Sequence, residues 1–271
     1  MKCILVALAS ISLISSEIDS DLEAVHKLGK EEVLSLPLPA IGSFLWNRYV
    51  AGRKVSFEYY GVNPKILSKE DLKKPATILI HASESNQGEW MNLLRELSKN
   101  RNLGPLFTFN YKDGEELGSL REKIASVKAL YAAGGESEVA INLIGHSLGG
   151  IVAVEYACAP EIHLPGVLLK KVITIASRLK NLENPEKTPF YHYALDAIER
   201  AEKISQQIEK RDSIQSLYTI AAEEDWLVPR ESVLIGKSRN QQAVIPFVGH
   251  VTVVDSPETS KIVMNWLLEP A

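Results

Sequence analysis

Gly145-His146-Ser147-Leu148-Gly149-Gly150 decides how this chain of 271 residues is read. The run before it, Val139-Ala140-Ile141-Asn142-Leu143-Ile144, is apolar and of strand length, and the run after it, Ile151-Val152-Ala153-Val154-Glu155-Tyr156, is helix-like. Gly-x-Ser-x-Gly between a strand and a helix is a nucleophile elbow, a strained turn that lifts a serine oxygen above the end of a sheet. Ser147 is therefore the candidate nucleophile. Gly145 and Gly149 flank a bend so tight that a Cβ on either would collide with the neighbouring strand or helix. The start of the following helix also directs its free amides and positive dipole end at any oxyanion formed there.

Working outward, the chain alternates strand-like and helix-like stretches. Ala76-Thr77-Ile78-Leu79-Ile80-His81 is an unalternated apolar run, as expected for a strand covered on both faces in a parallel sheet. A polar loop, 82–88, follows it, and then Trp90, Leu93, Leu94 and Leu97 recur at helical spacing. The strand Leu106-Phe107-Thr108-Phe109-Asn110-Tyr111 leads to a helix with Leu117, Leu120, Ile124, Val127 and Tyr131 on one face, stopped by Gly134-Gly135. After the elbow helix come a strand at 169–176, a strand at 216–220, a strand at 244–247 and a closing helix from Pro257 to Leu268. Repeated β-then-α order predicts an α/β fold, a mostly parallel central sheet with helices on both faces. Two regions depart from this rhythm. Residues 48–62 are β-prone around a glycine and read as a hairpin or meander at one sheet edge. Residues 178–213, with Pro185, Pro189, an aromatic knot at 190–193 and an amphipathic helix carrying Leu195, Ile198, Ala201, Ile204 and Ile208, read as a small cap or lid inserted in the domain.

Composition narrows the partners. With 45% hydrophobic residues the chain can bury one sizeable core, and residues 21–271 read as a single domain. A net charge of −4 and the lack of a basic stretch exclude a nucleic-acid footprint, leaving a small neutral or lipid molecule as the expected partner. Residues 1–20 hold a short apolar segment after Lys2, which reads either as a secretory signal or as a buried helix. The first implies export or the cell envelope, the second the cytoplasm. The segment is too short to span a bilayer as a helix. Cys3 and Cys158 are the only cysteines, and neither they nor the six histidines have zinc-ligand spacing, so no metal or cofactor is expected.

A serine hydroxyl is a poor nucleophile at neutral pH; it needs a base within hydrogen-bond reach, and the base needs a carboxylate to orient it. His250 follows the last strand and precedes the last helix. The loop Ala222-Glu223-Glu224-Asp225-Trp226-Leu227-Val228-Pro229 offers acids after the preceding strand, and Asp255 is a further candidate. His146 reads as packed under the elbow, while His26, His163 and His192 have no catalytic context.

Gly145 to Gly150, Asp225-x-x-Val228-Pro229 and Gly249-His250, in this order, resemble the serine α/β-hydrolase superfamily, in particular its lipase-like and esterase-like members, over roughly residues 76–268. The resemblance implies the α/β-hydrolase fold and selects Asp225 as the acid that orients His250. It implies an acyl-enzyme on Ser147 and hydrolysis of a carboxylic ester; an amide or thioester would use the same triad, and a weakly active or non-catalytic binding member is the remaining alternative. By the same resemblance the oxyanion hole is made by the amides of Ser83 and Leu148, with His81 shaping the turn. One departure stands out: relatives carry His-Gly where this chain has His81-Ala82, and alanine lacks the torsional freedom of glycine.

Overall fold

The computed structural model describes residues 67–83, 85–111, 114–180, 195–210, 216–225, 227–235 and 241–270. All of them belong to the larger of the two units into which the chain divides, Asn47–Ala271. The apolar segment at 1–20, the hairpin expected at 48–62 and the cap residues 181–194 and 211–213 lie outside the described residues.

Six strands form one sheet: β1 (Ala76–Ile80), β2 (Leu106–Thr108), β3 (Val139–His146), β4 (Val167–Ile175), β5 (Leu217–Ala222) and β6 (Gln242–Ile245). Their order is β2-β1-β3-β4-β5-β6, and every neighbouring pair is parallel. The chain adds β2 on one side of β1, then returns to place β3 on the other. That reversal makes the carboxyl ends of β1 and β3 the topological switch point of the sheet, the place where open α/β sheets bind ligands.

Helices cover both faces. On one lie α2 (Glu116–Ala133), α3 (Leu148–Cys158) and α4 (Leu195–Lys210), and on the other α1 (Met91–Leu97) and α6 (Pro257–Leu268); α5 (Arg230–Val233) is a single turn in the loop after β5. The continuous apolar strands divide their side chains between two cores. Ile78, Ile80, Ile141, Leu143 and Val172 face Leu120, Ile124, Val127 and the helix α3, whereas Leu79, Ile144, Ile173 and Ile220 face Leu93, Leu94, Leu97, Val263 and Trp266. Burial on both faces is the physical reason that these strands show no polar alternation. The helical face expected in α2 is buried except for the half-exposed first position, Leu117.

Strand limits shift from those expected: β4 begins two residues early and ends one early, β5 begins one residue late and runs two further, and β2 and β6 end early. β2 ends at Thr108 because the next residues leave the ladder for the loop beyond β1: the Asn110 side chain accepts from the Gln87 amide at 2.7 Å, and the Tyr111 amide donates to His81 Nε2 at 3.3 Å. β6 starts two residues early and stops at Ile245, before Pro246, which has no amide to donate, and Phe247, whose φ is +60°. The helix expected within the cap is α4. It packs on α3 in the connection between parallel β4 and β5, and Arg200 bridges to Glu155 at 2.6 Å and to Glu116 at 3.6 Å. Among the described residues no helix is long and apolar enough to cross a membrane.

Candidate active site

Ser147 occupies the single residue between β3 and α3, with φ 51° and ψ −118°. For a residue with a Cβ this conformation costs roughly 1–3 kcal/mol and persists only where the surroundings enforce it. The enforcement is visible. The Ser147 amide donates to the Ile175 carbonyl at 2.9 Å, anchoring the turn to the end of β4. A Cβ on Gly145 would lie 2.2 Å from the Gly149 carbonyl oxygen, and one on Gly149 would lie 2.1 Å from the carbonyl oxygen of Ile80. Helix α3 therefore starts in contact with the carboxyl end of β1, which brings the loop after β1 alongside the elbow.

His250 and Asp225 arrive from neighbouring strand ends. The Glu223 amide donates to Ile245 O at 2.9 Å and the Glu224 amide to Val248 O at 3.0 Å, so the acid loop after β5 is stitched to the segment leaving β6. In the acid loop Asp225 Oδ1 accepts from the amides of Leu227 at 2.9 Å and Val228 at 2.8 Å. Its other oxygen, Oδ2, accepts from His250 Nδ1 at 2.8 Å, and its side chain is 1% exposed. His250 Nε2 lies 3.0 Å from Ser147 Oγ. With Nδ1 donating to the carboxylate, Nε2 carries the lone pair and accepts from the serine hydroxyl, which is the tautomer that general-base chemistry requires.

Among the candidate acids, Asp225 is the one seen hydrogen-bonded to His250 Nδ1. Glu224 is exposed, and Asp255 accepts from the Asn92 amide group at 2.7 Å. His81 and His146 flank the elbow. His81 is buried, stacks on Tyr111 with ring centroids 4.0 Å apart, and donates from Nδ1 to the Ala82 carbonyl at 2.7 Å while Nε2 accepts from the Tyr111 amide. Leu148 is the first residue of α3 and follows the nucleophile directly; Ser83 follows Ala82 in the loop after β1. Ala82 is not among the residues of positive φ, so this position makes no use of the torsion that only glycine tolerates. Ala82→Gly is accordingly expected to lower stability by about 0.5–1 kcal/mol, by adding freedom to the unfolded chain, in a urea or thermal unfolding measurement.

Glu89 is the group that the sequence did not single out. It lies in the short turn Gln87–Trp90 before α1, with its carboxylate against the His146 ring at 3.3 Å and against the Ala82 amide at 3.1 Å. Burial pushes this carboxyl up, but the charge and hydrogen bond of His146, with the Ser85 hydroxyl, outweigh it and leave Glu89 below the ordinary carboxylate value. No periodicity or motif marks it, because its partners lie on other loops. Among the described residues no group of three or more His, Cys, Asp or Glu side chains is placed to hold a metal ion.

No family model matches this chain, and no curated protein matches it. Solved structures do. A membrane phospholipase A described as a bacterial virulence factor is 18% identical, with 98% of each chain covered and a TM-score of 0.47. The monoacylglycerol lipase of Paleococcus ferrophilus is 15% identical over 72% of this chain and 95% of its own, with a TM-score of 0.47. An α/β hydrolase from a sediment metagenome of the Mar Chica lagoon in Morocco is 14% identical over 71% and 90%, again with a TM-score of 0.47.

Proposed function

We propose that this chain, which has the α/β-hydrolase fold, is a serine hydrolase that cleaves a carboxylic ester through Ser147, His250 and Asp225. The observation that carries the reading is the continuous line Asp225 Oδ2, His250 Nδ1, His250 Nε2 and Ser147 Oγ, with separations of 2.8 and 3.0 Å. His250 takes the hydroxyl proton as Ser147 Oγ bonds to the substrate carbonyl carbon. The carbonyl oxygen becomes an oxyanion, and the amides of Leu148 and Ser83 are the donors assigned to it. The tetrahedral intermediate collapses, the C–O bond to the leaving alcohol breaks, and His250 returns its proton to that alcohol. Water then attacks the acyl-enzyme with His250 again as base, releasing the acid and restoring Ser147. Asp225 keeps the imidazole in the productive tautomer and stabilises the imidazolium that forms in each half-reaction. Lipid esters and short-chain esters are both compatible with this chemistry.

The test is covalent labelling of the purified protein with a fluorophosphonate, located by peptide mass spectrometry, beside turnover of p-nitrophenyl esters of short and long acyl chains and of matched thioester and anilide substrates. Label on Ser147 with preferred turnover of the oxygen esters is the expected result. A folded protein with neither label nor turnover would remove the reading, and faster turnover of the thioester or anilide would redirect it to the corresponding acyl bond.

A further inference from the structure

The reaction above uses neither Glu89 nor His146, yet both are buried beneath it, with side chains 9% and 2% exposed. One carboxylate makes three connections. Oε1 accepts from the Ala82 amide at 3.1 Å and faces His146 Nδ1 at 3.3 Å, while Oε2 accepts from the Ser85 hydroxyl at 2.6 Å. His146 is the last residue of β3, immediately before Ser147, and its Nε2 donates to the main-chain carbonyl of His250 at 2.9 Å. A carbonyl can only accept, and an ionised carboxylate can only accept, so the arrangement is satisfied when both ring nitrogens of His146 carry protons. Glu89 and His146 thus form a buried pair whose hydrogen bonds end on the loop after β1 and on the backbone of the base.

The loop end of the network bears on the oxyanion hole through peptide planarity. The Ala82 carbonyl accepts from His81 Nδ1 at 2.7 Å and from the Ser85 amide at 3.2 Å. Ser83 N–H belongs to the same planar unit as that carbonyl and points the opposite way, so holding the carbonyl sets the direction of the amide. Glu89 holds the peptide on the other side of Ala82 through its N–H. With both flanking peptides held, the two torsions of Ala82 are determined, and with them the aim of Ser83 N–H.

We propose that Glu89 is the positioning residue of the oxyanion hole, clamping Ala82 and Ser85 on either side of Ser83 and, through His146, tying that loop to the backbone of the catalytic base His250. The assignment rests on the serine-hydrolase reading. An oxyanion exists only in the transition state and the tetrahedral intermediate, so a mis-aimed donor lowers kcat and leaves KM in place. Deleting an oxyanion donor typically costs about 100- to 1,000-fold in kcat; loosening one is expected to cost about 10- to 100-fold.

The experiment compares wild type with Glu89→Gln and Ser85→Ala. Glutamine keeps the shape but not the charge: its oxygen can still take the Ala82 amide and His146 Nδ1, while its NH2 can only donate to the Ser85 hydroxyl, so every bond of the clamp loses its charge assistance and the buried His146 loses its counter-ion. The readouts are kcat and KM for a p-nitrophenyl ester, the inhibition constant of a trifluoromethyl ketone whose hemiketal oxyanion occupies the hole, and thermal unfolding. Expected for Glu89→Gln is a fall in kcat of about 10- to 100-fold, a matching loss of affinity for the ketone and an unchanged KM. For Ser85→Ala the expected fall in kcat, again with KM constant, is about fivefold, the loss of one hydrogen bond. A folded Glu89→Gln with unchanged kcat, or one whose kcat falls while ketone affinity holds, would overturn the assignment. If Glu89→Gln does not fold, Ser85→Ala decides: a kcat equal to wild type overturns the assignment. An inert wild type would remove the serine-hydrolase reading and this assignment together, whereas an active wild type with unaltered variants would remove the assignment alone.

Discussion

Ser147→Ala is expected to lower kcat for the best ester substrate by about a million-fold, and Asp225→Asn by about ten-thousand-fold, with both proteins folded. The two numbers differ because the residues act at different distances from the reacting carbon. Without Ser147 Oγ no acyl-enzyme forms, and only binding and the oxyanion donors remain. With asparagine at 225, the amide group can turn its NH2 to His250 Nδ1, which would then accept and leave Nε2 protonated, the wrong tautomer to receive the hydroxyl proton at 3.0 Å. The amides of Leu227 and Val228 would still find an acceptor in the asparagine oxygen, so the loop is expected to hold its course. Steady-state kinetics with the two variants checks both values; an Asp225→Asn enzyme within tenfold of wild type would remove Asp225 from the triad. A stability readout accompanies the first substitution. Ser147→Gly, which removes the Cβ held at φ 51°, is expected to raise the unfolding free energy by about 1 kcal/mol while abolishing turnover, since the strain exists to present the nucleophile.

Gly149→Ala is expected to cost about 3 kcal/mol or more of stability, and Gly118→Ala to cost nothing. At Gly149 the new methyl would sit 2.1 Å from Ile80 O and 2.5 Å from His81 O, both main-chain atoms at the end of β1. Relief requires α3 or β1 to move, and both are packed into the same core. The first displacement would open the elbow away from the loop that carries Ala82 and Ser83, so residual folded protein is also expected to turn over substrate slowly. Gly118 lies in α2 with nothing within 4 Å of its virtual Cβ, and alanine there is expected to gain about 0.5–1 kcal/mol from helix propensity. Parallel denaturant titrations of the two variants measure the contrast. Similar losses at the two positions would show that close approach of α3 to β1 is not what glycine is there for.

The strand and helix order was legible because its signals are local. The apolar runs at 76–80 and 139–144 mark strands buried on both faces, and α6 begins at Pro257 and ends at Leu268 as its pattern predicts. The ends of β2 and β6 were less legible. Whether Phe109 stays in the sheet depends on Asn110 and Tyr111 finding partners beyond β1, across 23 and 30 positions of chain.

Residues adjacent in the chain were enough to read a parallel α/β sheet, a glycine-bounded turn at Ser147, and acid and histidine candidates after the strands that follow it. The resemblance pointed to Asp225, but its contact with His250, beside an exposed Glu224, and the ordinary backbone torsion of Ala82 came from the packing of the chain. That packing alone joined Glu89 to His146 across 57 positions of chain. Partners of this kind are set by the register of β1, β3, β5 and β6 and by how closely their loops pack, and a hydrogen bond between distant loops leaves no periodicity in either of them.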